Sequence, residues 1–205
     1  MVRPGPQGKN AIKVWDPVVR LFHWSTLGLF VAAYYTAEWG SNETHVLVGY
    51  GLTLVLMVRL IWGLVGTEFA RFSRFAYGPR AIVRYWHSLR RGQPEHYLGH
   101  NPLGAAMVFL LLGLLGFMAL SGLLLTAALE FEGPLLGLNP WITDAMAYRL
   151  LDLHRWVVYL MLGCIGLHLL GVLSASVQHH ENLVRAMITG YKPRPPAPDI
   201  RSPES

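Results

Sequence analysis

The stretch LHRWVVYLMLGCIGLHLLGVL, residues 153–173, is an apolar run long enough to cross a bilayer, and it carries two histidines, His154 and His168. Fourteen residues, close to four helical turns, separate them. Both rings therefore leave a helix from nearly the same face, about 21 Å apart along its axis. An ionisable side chain inside such a span marks a functional site by default. Two of them, stacked across a membrane, suggest two redox metal centres, one near each surface. Each centre then needs a second ligand from another helix at the same depth.

The composition fits a membrane chain. Of 205 residues, 53% are hydrophobic and 14% charged, against about 25% charged in an average soluble domain. The net charge of +5 does not imply nucleic acid, because the charges cluster in segments between apolar runs rather than along one binding face. A single cysteine, Cys164, allows neither an intrachain disulfide nor a thiolate cluster, which argues against zinc and iron–sulfur sites. It reads as a small packing residue in the apolar run. Residues 1–13 are polar and the first apolar run is too long for a cleavable signal, so that run is expected to stay as a span.

Four spans are expected, at about 18–37, 44–65, 103–125 and 148–176, in an all-α membrane four-helix bundle. Asp16-Pro17 and Asn101-Pro102 are helix starts, with an N-cap followed by proline at the first helical position. Gly104, Gly113, Gly116 and Gly122 allow close approach of the third span. Between spans two and three, residues 79–91 alternate Ile82, Val83, Trp86 and Leu89 with Arg80, Arg84, Arg90 and Arg91, the pattern of a helix lying in the membrane interface. Residues 1–15 and 177–205 flank the four-span domain, 16–176, as polar tails, the second extended and disordered.

Four spans leave both termini on one side, and the positive residues decide which. Fifteen of the seventeen Lys and Arg fall in the N-terminal region, at Arg59, in the 66–101 connection and in the C-terminal tail; only Arg149 and Arg155 fall opposite. Six of the twelve acids, Glu38, Glu43, Glu130, Glu132, Asp144 and Asp152, lie on that opposite side. Both termini are therefore expected in the cytoplasm. That topology puts His23 and His168 in the inner half and His45 and His154 in the outer half. Buried histidines also occur as simple interhelical hydrogen-bond partners, but four of them in two depth-matched pairs argue for ligands.

Without cysteine or carboxylate beside these rings, tetrahedral zinc and di-iron carboxylate centres lack ligands. Two imidazoles facing each other suit an iron porphyrin, whose ring supplies the other four donors. Its propionates would meet cations near the surfaces: Arg20 and Arg59 at the inner end, Arg149 and Arg155 at the outer. Snorkelling alone also accounts for arginines there. No CxxCH motif occurs, so the group would be held without thioether bonds.

Five segments carry a family resemblance: WDPVVRLFHW (15–24), HVLVGY (45–50), RLIWGLVG (59–66), GHNPLG (99–104) and NLVRAMITGYK (182–192). In this order they resemble the prokaryotic cytochrome b561 family, over about residues 12–192. The family includes the b-type cytochrome subunits of membrane-bound nickel–iron hydrogenases. The resemblance implies a four-helix protein of the bacterial inner membrane with two bis-histidine haems b, ligated by His23, His45, His154 and His168. It would exchange electrons between quinone and a redox protein such as a hydrogenase or a c-type cytochrome, as a subunit rather than a complete enzyme. A homodimer is left open.

The other histidines, His87, His96, His100, His179 and His180, are expected to face solvent or headgroups. His100, just before the third span, rivals His23 as inner ligand, and His179-His180 is a candidate proton carrier for quinone chemistry. Two further readings stand beside the partnered cytochrome. One is a stand-alone quinol oxidase passing electrons to a small oxidant such as superoxide; the other is a non-haem anchor or transporter, which would purify colourless.

Overall fold

The computed structural model describes residues 11–93 and 95–193. Helices form where caps and apolar runs meet. Helix α1, Pro17–Trp39, starts at Asp16, whose carboxylate accepts from Val19 N at 2.9 Å. Helix α2, Asn42–Val65, is capped by Ser41, and α4, Pro102–Leu125, by Asn101, whose side chain accepts from Gly104 N at 2.7 Å. Between them α3, Pro79–Arg90, begins on the proline after Gly78. Helix α4 runs into one π turn, Thr126–Glu130, and a 3₁₀ segment, Leu136–Trp141, precedes α5.

Helix α5, Asp144–Gln178, is 35 residues long, about 52 Å at 1.5 Å per residue. It begins four residues before the expected fourth span because Thr143 caps it, accepting from Met146 N at 3.3 Å. Among the described residues, three helical stretches are long and apolar enough to cross a membrane: Asn42–Val65, Pro102–Glu130 and Asp144–Gln178. Helix α1 is of similar length but carries Arg20, His23 and Glu38.

Helices α1 and α2 pack as one hairpin, α4 and α5 as another, and α2 against α4 joins them. Leu52, Leu56, Leu115 and Met161 form the buried centre of this bundle, with Leu29, Phe30 and Ala33 packed on it. The outward faces are apolar: Leu64, Val65, Leu170 and Val177 are each more than half exposed. Such faces are stable only against lipid or another protein. Cys164 is buried and free, as its place in the run predicted.

The expectation of two free polar tails needs correction. Residues 11–13 form β1, Ala11–Lys13, which pairs antiparallel with β2, Tyr191–Pro193, in the register Ile12↔Lys192. A short helix α6, Leu183–Thr189, leads into β2 and ends at Gly190, whose φ of +90° only glycine adopts without strain. A Cβ there would also lie 2.6 Å from the Trp15 carbonyl. The Gly190 carbonyl accepts from Val14 N and Trp15 N, locking the turn to the start of α1. Val14, Trp15, Val19, Ala70 and Ala186 form a second small core beneath it. The remaining tail residues, 1–10 and 194–205, lie outside the described residues.

Asp16 ties this end together. Besides capping α1 it accepts from Trp62 Nε1 at 3.0 Å and from Thr67 Oγ1. Burial pushes its carboxyl up, but the hydrogen bonds from Thr67, Trp62 and the backbone outweigh that and hold it below the usual aspartate value.

Two facing histidine pairs

His45, one turn into α2, faces His154 of α5 with ring centres 6.4 Å apart and planes at 83°. Each ring is oriented by a partner on its far nitrogen. His45 Nδ1 lies 2.9 Å from the Ala33 carbonyl of α1, which can only accept, so Nδ1 donates and Nε2 is left free of that contact. His154 Nδ1 lies 2.7 Å from Ser121 Oγ. The Ser121 hydroxyl already donates to the Phe117 carbonyl at 2.7 Å, so it accepts from His154 Nδ1. Both rings line a cavity of about 720 Å³ between α1, α2, α4 and α5, with Tyr50, Leu115, Arg155 and Met161 among its walls.

His23 of α1 faces His168 of α5 with the same 6.4 Å between centres, at 49°. The setting differs. His23 Nδ1 is buried with no hydrogen-bond partner. Among the described residues, the other buried side-chain nitrogens and oxygens without a partner are Arg20 Nε, Thr26 Oγ1, Arg59 Nη1, Arg71 Nε and His100 Nδ1, all toward this end of the bundle. Arg59 is 3% exposed; its Nη2 donates to the Ala70 carbonyl at 3.2 Å and its guanidinium stacks 4.5 Å from the Phe72 ring centre. Phe72 lies so close to α2 that a Cβ on Gly63 would clash with its ring edge at Cε2. Arg20 Nη1 donates to the Ile188 carbonyl at 2.7 Å.

Two metal–imidazole bonds of about 2 Å each, with the nitrogen standing an ångström or so in front of each ring centre, separate the centres by about 6 Å. Both pairs meet that spacing. No group of three or more His, Cys, Asp or Glu side chains suited to a metal occurs among the described residues. Two facing imidazoles at this spacing fit a group that brings its other donors with it, as a porphyrin does. Three arginines with unsatisfied buried donors are what acidic substituents on that group would satisfy.

Arg155 reaches the His45–His154 cavity, Arg20 lies one turn before His23 on α1, Arg59 stands over the rings of Phe22 and Phe72, and none of the three forms an ion pair among the described residues. Sequence reasoning missed Ser121, Arg71 and the Ala33 carbonyl. Ser121 had a visible signal, as the only hydroxyl in α4.

One further histidine, His100, departs from the expected solvated state. His100 is wedged between the rings of Trp15 and Phe75, at 4.8 and 4.5 Å. Burial, aided by the charges of Arg59 and Lys192, pushes it down to about 3, so it is neutral. His96 Nε2 contacts Glu181 Oε1 at 2.7 Å, and Lys192 Nζ contacts Glu181 Oε2 at 3.2 Å. His179 stands edge-on to His96, at 5.1 Å.

The family model for prokaryotic cytochrome b561 matches residues 14–190. A probable Ni/Fe-hydrogenase B-type cytochrome subunit of Rhizobium leguminosarum bv. viciae is 24% identical, over 90% of this chain and 90% of its own length. Proteins of the same description from Azotobacter vinelandii and Cupriavidus necator are 24% and 21% identical, over 90% and 89% of this chain and 89% and 87% of their own lengths. No solved structure gives a significant match. A match over nearly the whole described chain, ending on the glycine that locks α6 to α1, makes this chain a member of the prokaryotic cytochrome b561 family.

Proposed function

We propose that this chain is a four-span cytochrome of a bacterial inner membrane, holding two haems b and passing electrons across the bilayer between the quinone pool and a redox protein. The observation that carries the proposal is the pair of facing imidazoles, repeated at two depths of α5 with the same 6.4 Å spacing. His45 and His154 hold one group and His23 and His168 the other. Arg20 and Arg59 receive the acidic substituents at one end, and Arg155 does so at the other. The partner class follows from the relatives, which are described as hydrogenase cytochrome subunits.

When bound, each haem supplies a one-electron couple. The chain's own task is placement and insulation. Ala33 and Ser121 hold the His45 and His154 rings with Nε2 forward. Leu52, Leu56, Leu115 and Met161 fill the centre of the bundle and keep water out. Helix α1 counts as the fourth span because Leu21, Trp24, Leu27, Val31 and Tyr35 make a continuous exposed apolar stripe along its 23 residues, about 34 Å. The distribution of Lys and Arg puts both termini in the cytoplasm, which makes the His23–His168 pair the inner one.

Dithionite-reduced, detergent-purified protein should show a b-type α band with two haems per chain. His154→Ala and His168→Ala should each remove about half of it. A colourless protein, or full absorbance in both variants, overturns the assignment. Co-purification with a hydrogenase or c-type cytochrome, against purification alone, separates the partnered subunit from a self-contained quinol oxidase.

A further inference from the structure

Helix α3 lies outside both histidine sites and packs on α4, and Tyr85 on one of its faces is buried, edge-on to Tyr97. Its opposite face carries Arg80, Arg84, His87 and Arg91, at spacings of four, three and four residues, all exposed. At 3.6 residues per turn these four side chains fall within about 60° of arc. They line a groove of about 720 Å³, a volume typical of a ligand site. Its second wall forms because Gly92, at φ +69°, turns the chain back along the helix, with Gln93 N donating to the Ser88 carbonyl at 3.1 Å. Glu95 is the single carboxylate on this wall, and it accepts the Tyr97 hydroxyl at 2.8 Å. Arg80, Arg84 and Arg91 have no acidic partner among the described residues.

Beside the basic stripe, Val83 and Trp86 are 54% and 46% exposed, and the Arg90 guanidinium lies 5.1 Å from the Trp86 ring centre. A cationic groove edged by outward apolar side chains, on a helix packed against a span, combines the two surfaces that an anionic lipid offers: phosphate and acyl chain. An acidic protein would match the arginines but not Val83 and Trp86. We propose that this groove binds the headgroup of an anionic phospholipid, with Arg80, Arg84 and Arg91 on its phosphate and Val83 and Trp86 against its acyl chains. The inference stands independently of the haem assignment.

The test is native mass spectrometry of the full-length chain in detergent, titrated with phosphatidylglycerol or phosphatidylcholine. The wild type should retain phosphatidylglycerol in preference to phosphatidylcholine. Each basic side chain at an anionic surface is worth about fivefold, so Arg80→Gln/Arg84→Gln/Arg91→Gln should weaken phosphatidylglycerol binding about a hundredfold and leave phosphatidylcholine unchanged. Arg185→Gln, which removes an exposed charge on α6, should have no effect. If the triple variant loses its helical circular dichroism, Arg84→Gln alone is measured and should cost about fivefold. Equal retention of the two lipids, undiminished binding by the folded variant, or full displacement of the lipid by millimolar inorganic phosphate overturns the proposal.

Discussion

The two histidine pairs have the same ring spacing and opposite support. Around His45 and His154 each far nitrogen is matched within the protein, by the Ala33 carbonyl and by Ser121. Toward the His23–His168 end the protein leaves buried donors unmet on Arg20, Arg59 and Arg71, and ring nitrogens without partners on His23 and His100. Buried donors without acceptors are costly. Under the proposed assignment the contrast separates two ways of making a cofactor site: one presets its ligands, the other is finished by the group it receives. It follows that the two sites should fail differently.

The largest effect is expected at Arg59. Its guanidinium is the most buried of the cations near His23, and only Nη2 is engaged. With an acidic substituent in place, Arg59→Gln removes one partner of a buried charge pair, a loss of about 3–5 kcal/mol. The haem at His23–His168 should then be lost on dilution or against a haem-binding competitor while the other is retained, leaving about half the absorbance. Equal loss from both sites would break the distinction between them.

Ser121 tests the other mode, with a smaller effect. Ser121→Ala leaves His154 Nδ1 buried without an acceptor, and loss of such an outer-shell partner typically costs 10–100-fold in affinity. Affinity for one haem should fall by about that factor, and a redox titration should show one midpoint potential shifted and the other fixed. A fixed pair of potentials with unchanged haem content would reduce Ser121 to packing.

Much of this was legible in the sequence because helical periodicity and capping are local. Asp16-Pro17, Asn101-Pro102 and the spacing of His154 and His168 fixed helix starts and a shared face before any tertiary contact was known. Partners supplied across the bundle were not legible. Ser121 reaches a histidine 33 residues away and Ala33 one 12 residues away, and no pattern within α4 or α1 encodes that meeting. The pairing of β1 with β2 and the meeting of His96 with Glu181 failed for the same reason. Two short polar segments look like free tails until the remote partner that satisfies them is known.

The smallest effect concerns that remote join, which stands at the His23–His168 end. Burial pushes the Glu181 carboxyl up, but His96 and Lys192 pull it below the ordinary value of 4.5. A carboxylate with a depressed folded pKa adds stability that is full above its unfolded value and is lost as pH falls through the folded one. The loss therefore belongs below about pH 4.5. Amide hydrogen exchange of Tyr191 and Lys192 should therefore rise relative to the α4–α5 core only under those acidic conditions. Glu181→Gln should show the raised exchange already at neutral pH, because it leaves the Lys192 ammonium, 6% exposed, without its counter-charge. Protection that tracks the α4–α5 core at every pH would mean that the strand pair and the small core of Val14, Trp15 and Ala186 hold this end closed by themselves, and that the Glu181 contacts add nothing to it.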